Sequence, residues 1–409
     1  MRVLHLTPEL PFAPGAGGGR AREFFLCRRL VELDHQVLNI SPVLPDEVRW
    51  AASLQDVGVE NWLVPRPGSR VREVLVATRT EPRVLGAVLK VPVRALEMLV
   101  FETSMRPFIE RAVRDWRPDV VVVGHDMAAA WALSIPREIP AVLTLHNLTW
   151  RWYLSRSRLR HGLRAALLRA EAARYQNYVL GLLPRFSAAV CVSTVEAEEL
   201  RAATPIPVSV IPCGVDTQAH RPVSDDQQAP VVLFTGTLSY APNSQGIRWF
   251  VEHVWPRVVA AIPEARLEVV GRNPSVAVTA LARHHGVDVV GPVPAMEPHF
   301  AKAQVVVVPI LTGAGIRVKI IEAMSAGRAI VSTSLGFEGL PEVRPDQHLL
   351  AADRPEDFAD AIVRLLHDPA LRRRISEAAR TLAERRYDWR QLSDEQVRVI
   401  ETAYEQGKH

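Results

Sequence analysis

Arg317, Lys319 and Glu322 stand close together in "GAGIRVKIIEAMSAG" (313–327), directly after the apolar run "QVVVVP" (304–309). The pattern predicts a strand, a loop holding Gly313, Ala314 and Gly315, and a helix with Ile316, Ile320, Ile321 and Met324 on one broad apolar face. Two cations in a first helical turn oppose the helix dipole at a cost of about 0.3–1 kcal/mol each. A bound polyanion reverses the sign, because each charge-assisted hydrogen bond contributes about 1.5–3 kcal/mol. A diphosphate fits two cations beside a helix N-terminus. Only Lys90, Lys302, Lys319 and Lys408 are lysines among the 49 basic residues, so a lysine kept at this place is informative for its compact charge. Glu322 repels phosphate. It either accepts hydrogen bonds from a vicinal diol such as a ribose, or pairs with Lys319 as a surface bridge of about 0.2–0.5 kcal/mol.

Other candidates sit where strands are expected to end. "TPELPFAPGAGGGRAREFF" (7–25) follows a first apolar run, but from Gly15 the sixth position of a dinucleotide fingerprint falls on Arg20, and Pro8, Pro11 and Pro14 stiffen a loop too long for that turn. What survives is a loop ending in Gly17, Gly18 and Gly19 at a helix start, either a flexible entry or a set of N–H groups that face an anion. His125 closes "DVVVVGHD" (119–126), and His146 with Asn147 follows "AVLTL" (141–145). Asp126 either orients His125 or caps the next helix. Arg20 and Arg22 are candidates for binding an acidic or phosphorylated acceptor.

These residues need a scaffold of alternating strands and helices. "RVLHL" (2–6), "QVLNI" (36–40), 119–123, 141–145, "AAVCV" (188–192) and "VSVI" (208–211) form one series. "VVLFT" (231–235), "RLEVV" (266–270), "VDVV" (287–290), 304–309 and "AIVST" (329–333) form another, after a polar linker at 217–230. The fold class is α/β, with two Rossmann-like doubly wound parallel-sheet domains at 1–215 and 216–386. A last amphipathic helix at 387–409 is expected to pack back on the first domain. Two such domains facing one another make a cleft at the carboxyl ends of their strands, where ligands of open α/β sheets bind.

Composition excludes several classes. The longest membrane candidate, 84–101, is broken by Lys90, Pro92 and Arg94, and the N-terminus reads as a buried strand rather than an export signal. Cys27, Cys191 and Cys213 are an odd set without metal spacing, which fits a reducing, cytoplasmic setting. No basic block with interleaved aromatics argues for nucleic acid. Two arginine-rich apolar stretches, 70–100 and 151–176, read either as solvated helix faces or as surfaces lying against anionic lipid at the inner face of the membrane. The oligomeric state stays open.

"VIPCGVD" (210–216), "FTGTLSYAPNSQGIRWF" (234–250), "LEVVGRNP" (267–274), the block 305–340 and "YDW" (387–389), together with 15–30, "VVVGHDM" (121–127) and "TLHN" (144–147), resemble glycosyltransferase family 4 over nearly the whole chain. "YAPN" and "GFEGL" are similar to bacterial transferases that build envelope or exported polysaccharides. The resemblance implies the GT-B fold and a retaining enzyme using a nucleotide-diphosphate sugar, without metal or cofactor, on a glycan or lipid-linked acceptor. It makes Arg317 and Lys319, with His125, the catalytic groups. Gly18, Gly19, Gly236, Gly271, Arg272, Gly313, Ala314, Gly315, Ile316 and Glu322 fall on the donor side, and Arg20, Arg22, His146 and Asn147 on the acceptor side. Three positions depart from the family pattern: Ala314 replaces the first of two glutamates, Cys213 an asparagine, and Thr149 a glutamate found in several relatives. A nucleotide-sugar epimerase of the same fold and a non-catalytic nucleotide-sugar binder are the alternatives.

Overall fold

The computed structural model describes residues 1–13, 18–66, 104–158, 160–219, 229–313 and 315–408. Ala314, the stretch 70–100 and most of the expected linker (220–228) lie outside the described residues. The chain forms two compact units, Met1–Pro212 with Leu392–His409, and Cys213–Gln391.

The first unit holds a seven-stranded sheet of β1 (Arg2–Leu6), β2 (Gln36–Val43), β3 (Glu60–Pro65), β4 (Val120–Gly124), β5 (Ala141–Thr144), β6 (Ala188–Cys191) and β7 (Val208–Val210). Their order is β3-β2-β1-β4-β5-β6-β7, and all pairings are parallel. The valine run of β4 is buried throughout, as expected of a strand covered on both faces. Strand order reverses between β1 and β4, so the segments that leave their carboxyl ends diverge and open a crevice there. Residues 7–13 and helix Gly18–Glu32 follow β1, and His125 follows β4. Helix Trp389–Gln406 is tied into this unit by the ion pair of Asp394 with Arg29 at 2.5 Å.

The second unit repeats the plan with β8 (Val231–Thr235), β9 (Arg266–Val270), β10 (Val287–Gly291), β11 (Val305–Val308), β12 (Ala329–Ser332) and β13 (Leu350–Ala351), in the order β10-β9-β8-β11-β12-β13. Phe234, Phe250, Trp255 and Phe358 fill one side of its sheet. Ile320, Ile321 and Met324 of helix Val318–Ser325 pack with Phe300 on the other. Here the order reverses between β8 and β11. Gly236 follows the first of these strands, and Gly313, Gly315 and Arg317 follow the second. The edge strands β3 and β13 add to the expected series. Among the described residues no helix is long and apolar enough to cross a membrane.

Candidate functional site

In the second unit, Lys319 is only 9% exposed although it lies in the first turn of its helix. Its Nζ donates to Asn243 Oδ1 at 2.9 Å and stands 4.3 Å from the centre of the Phe234 ring. Asn243 is fixed in turn, its Nδ2 donating to the Thr237 carbonyl at 3.0 Å. Gly236 makes room for this arrangement, since a Cβ there would lie 2.8 Å from both Lys319 Nζ and Asn243 Nδ2. Gly271 does the same for the backbone, because a Cβ would fall 1.7 Å from the Gly236 carbonyl oxygen. Burial pushes the Lys319 ammonium down to about 7, against the pull of Glu322 and with the help of Arg317. The side chain is therefore a cation held short of full charge at neutral pH, at the place where strand order reverses.

Arg317 is the residue before the helix rather than part of its first turn, with φ −93° and ψ 88°. Its Nη1 donates to the Gly315 carbonyl at 3.1 Å, and its Nη2 lies where a Cβ on Gly313 would come within 3.2 Å. Gly313 (φ 110°) and Gly315 (φ 88°) occupy the left-handed region that the loop needs to present its backbone there. Ile316 and Glu322 are half-buried. The Lys319 amino group is buried on Asn243 rather than held at the surface, with Glu322 favouring its charge. Arg272 has an exposed side chain, and its carbonyl holds the Leu238 N–H at 2.8 Å.

The first unit gathers a second group around Glu23, a fully buried carboxylate one turn into helix Gly18–Glu32. Its Oε1 accepts from His146 Nε2 at 2.5 Å and from Thr144 Oγ1 at 2.9 Å, and its Oε2 accepts from His5 Nε2 at 2.6 Å. Asn39 spends its amide N–H groups on Ser41 and Asn61, which turns its oxygen toward His5 Nδ1 at 2.9 Å. His5 thus donates from both nitrogens and is an imidazolium paired with Glu23. Burial opposes that charge, but Cys27 and Glu23 hold the His5 pKa well above its ordinary value. Burial likewise opposes the Glu23 charge, and the hydrogen bonds from His146 and His5 outweigh it and hold the carboxyl well below the usual range. Burial, against Glu23 and with His125 and Arg22, lowers the His146 pKa and leaves that ring neutral. Its Nδ1 faces Gly19, where a Cβ would approach to 2.6 Å.

His125 packs edge-on against His146, with ring centres 5.3 Å apart. Its backbone is in a left-handed region that non-glycine residues rarely adopt (φ 75°, ψ 143°), a cost on the order of 1–3 kcal/mol. A 2.6 Å hydrogen bond from His125 N to the Thr144 carbonyl and a 2.6 Å contact of Nδ1 with Asp126 Oδ1 hold it there. Asp126 contacts His125 and accepts from Thr149 N and Thr149 Oγ1, each at 2.9 Å, at the start of helix Thr149–Arg158, whereas the next helix, Asp126–Ser134, is capped by the His125 side chain, which accepts from Met127 N. Threonine at 149 is thereby part of the histidine's support.

Gly18 opens its helix. Arg20 is engaged with Glu9 (2.9 Å) and Glu47 (2.7 Å), and Arg22 is buried, its Nη1 on the carbonyls of Ile211 (2.8 Å) and Pro212 (3.0 Å). Neither is a free surface cation for an acceptor, and Arg22 instead clamps the last residues of the first unit. Asn147 is exposed. Glu23, Asn243 and Phe234 were absent from the sequence-based candidates, and "YAPN" carried the only hint of the second.

Residues 229–368 match the family model described as Glycosyl transferases group 1, and residues 16–219 match the one described as Glycosyltransferase Family 4. A phosphatidyl-myo-inositol mannosyltransferase of Mycobacterium tuberculosis is 31% identical over 214 residues, 48% of this chain and 54% of that protein. The chain thus spans about half the length of the curated relatives it matches. Sucrose-phosphate synthase from Thermosynechococcus elongatus superposes over 99% of both chains with a TM-score of 0.69 at 15% identity. Anabaena HepE, solved in complex with UDP and glucose, covers 98% of this chain and 99% of its own with a TM-score of 0.67 at 14% identity. These likenesses show the fold, which is GT-B.

Proposed function

The chain belongs to glycosyltransferase family 4, and on that premise we propose that it is a retaining transferase. It moves a sugar from a nucleotide-diphosphate sugar to a glycan or lipid-linked acceptor, in bacterial cell-envelope or exopolysaccharide synthesis on the cytoplasmic side. The observation that carries this reading is Lys319, a buried amine held on Asn243 Oδ1 beside Gly236 at the switch point of the second unit.

In the proposed reaction the C1–O bond to the diphosphate breaks, the acceptor oxygen bonds C1 on the same face, and the acceptor proton passes to the departing phosphate oxygen. Charge grows on the leaving diphosphate, so groups that bind it more tightly in the transition state accelerate the step. Lys319, Arg317 and the loop N–H groups of Gly313 and Gly315 have that duty in place of a metal. Approach of the diphosphate draws the Lys319 equilibrium to the ammonium form, so the cation is completed by the substrate it serves. Glu322 takes the nucleoside ribose. His125, fixed by Asp126, and neutral His146, fixed by Glu23, lie at the strand ends of the first unit with the acceptor side.

A panel of nucleotide sugars screened for thermal stabilisation identifies the donor, since a ligand that binds only the folded state raises the melting point with its concentration. Product analysis with and without acceptor then decides the chemistry. Sugar transfer only when acceptor is present is the expected result. A changed sugar from donor alone would make the chain an epimerase, and binding without turnover would make it a sensor.

A further inference from the structure

We propose that Trp50 is a stacking platform for a sugar ring of the acceptor, and that the acceptor is therefore an oligosaccharide rather than a single sugar. The proposal rests on the sugar-transfer reading. In the turn Val48–Ala51, Ala51 is buried, as is Leu54 of the short helix Ala52–Gln55 that follows, and Trp50 is left at the surface, 39% exposed. Its indole stacks on Phe12, with ring centres 4.9 Å apart and planes 11° from parallel. Phe12 is nearly buried and has the Arg20 guanidinium 5.5 Å from its own ring centre, so the stack is anchored from beneath. The other group on the indole is the guanidinium of Arg49, an exposed side chain 5.0 Å from the ring centre. The indole N–H has no hydrogen-bond partner among the described residues.

The groups around this ring match a sugar. A pyranose carries C–H groups across its face and hydroxyls around its edge, so it calls for an apolar plane bordered by a few donors and acceptors. Arg20 is paired with Glu9 at 2.9 Å and with Glu47 at 2.7 Å, and Glu47 also accepts from Leu44 N at 3.1 Å. Arg20 and Arg49 balance Glu9 and Glu47, which suits a neutral polyhydroxyl ligand better than an ion. One exposed ring is also far too small for a stable protein interface. The same cluster leads back toward the histidines. Burial pushes the Glu9 carboxyl up, but Arg20, then His125 and His146, outweigh it and hold the carboxyl below its ordinary value, so Glu9 stands within electrostatic reach of both rings. The strands that deliver Trp50 and His125, β2 and β4, are two places apart in the sheet, about 10 Å at the usual spacing. An acceptor that engages both extends beyond one sugar ring.

The test applies the full chain to a microarray of bacterial surface oligosaccharides and their component monosaccharides, followed by calorimetry with the glycans that bind. Oligosaccharides are expected to bind and monosaccharides are not. Trp50→Ala should weaken that binding about tenfold, as for one lost aromatic stacking surface, and Trp50→Phe should keep most of it, both with a melting temperature near that of the wild type. Should Trp50→Ala fail to fold, the site is read in the wild-type chain labelled with fluorinated tryptophan. The fluorine resonance that is missing from Trp50→Phe should shift when the oligosaccharide is added. No bound oligosaccharide, wild-type affinity in Trp50→Ala, or an unmoved Trp50 resonance would overturn the proposal. Nucleotide sugars that stabilise the chain beside an unmoved Trp50 resonance would remove the platform alone. A resonance that shifts while no nucleotide sugar binds would keep the glycan site and remove the transfer reading.

Discussion

Replacing Lys319 with methionine should stabilise the ligand-free protein at low pH. Methionine fills similar space without a charge, so the variant isolates what the buried ammonium costs. The amine is depressed from its ordinary 10.5 to about 7, and at about 1.4 kcal/mol per pH unit that difference amounts to about 5 kcal/mol. The sign follows from linkage. Between those two pH values the unfolded chain holds the proton and the folded chain does not, so stability falls as pH drops from about 10.5 to about 7 and the full penalty is present below. Against this, methionine leaves Asn243 Oδ1 without the Lys319 donor, at about 1–3 kcal/mol. The variant should therefore be more stable than wild type by about 2–4 kcal/mol near pH 6, and less stable near pH 10, where the penalty has largely vanished. Urea unfolding at the two pH values measures both. In parallel, saturating nucleoside diphosphate should stabilise wild type by about 2.7 kcal/mol at a hundredfold excess over Kd and the variant far less. A methionine variant less stable near pH 6, or a difference that does not move with pH, would refute the claim that a strained cation is kept at this site.

Three further outcomes are expected. Arg317→Ala should lower turnover about 100-fold with the melting temperature unchanged, as for a lost oxyanion donor; near-normal rates would remove Arg317 from the leaving-group site. Glu322→Ala should weaken nucleotide binding in calorimetry, and an unchanged Kd would return Glu322 to the helix surface. Glu23→Gln should destabilise the first unit by about 3–5 kcal/mol by leaving the His5 imidazolium without its counter-ion. Because the Glu23 pKa is depressed, its contribution is present above the ordinary carboxylate pKa and lost as pH falls through the lower folded value. Wild-type unfolding followed by near-ultraviolet circular dichroism should show that acid-side loss, and the glutamine variant should show a smaller one, from the other depressed carboxylates such as Glu9 and Asp126.

The eleven apolar runs were legible because most of their strands are buried and read as unbroken valine and leucine, and even the edge strands β7 and β10 keep short valine-rich runs. β3 and β13 were not. β3 is an edge strand that is mostly half-exposed and mixes Glu60, Asn61 and Trp62 into its run, and β13 is two residues long. Gly313, Gly315, Arg317 and Lys319 were legible as a cluster, since glycines and cations at a strand-to-helix junction are locally costly. That Lys319 is buried was not, because the amide that receives it, Asn243, lies 76 positions away. Glu23 escaped for a related reason. A glutamate beside arginines in a helix reads as a solvated face, and only the convergence of β1 and β5 brings His5, Thr144 and His146 onto it. Spacing along one helix carries periodicity, whereas these pairs depend on which strands become neighbours.

The most direct measurement is a crystal structure of the chain with a bound nucleotide-diphosphate sugar. The account predicts diphosphate oxygens within about 2.7–3.2 Å of Lys319 Nζ and of the Arg317 guanidinium, beside Gly236 and the 313–315 loop. A diphosphate bound away from the carboxyl ends of β8 and β11, with Lys319 still closed on Asn243 alone, would contradict it.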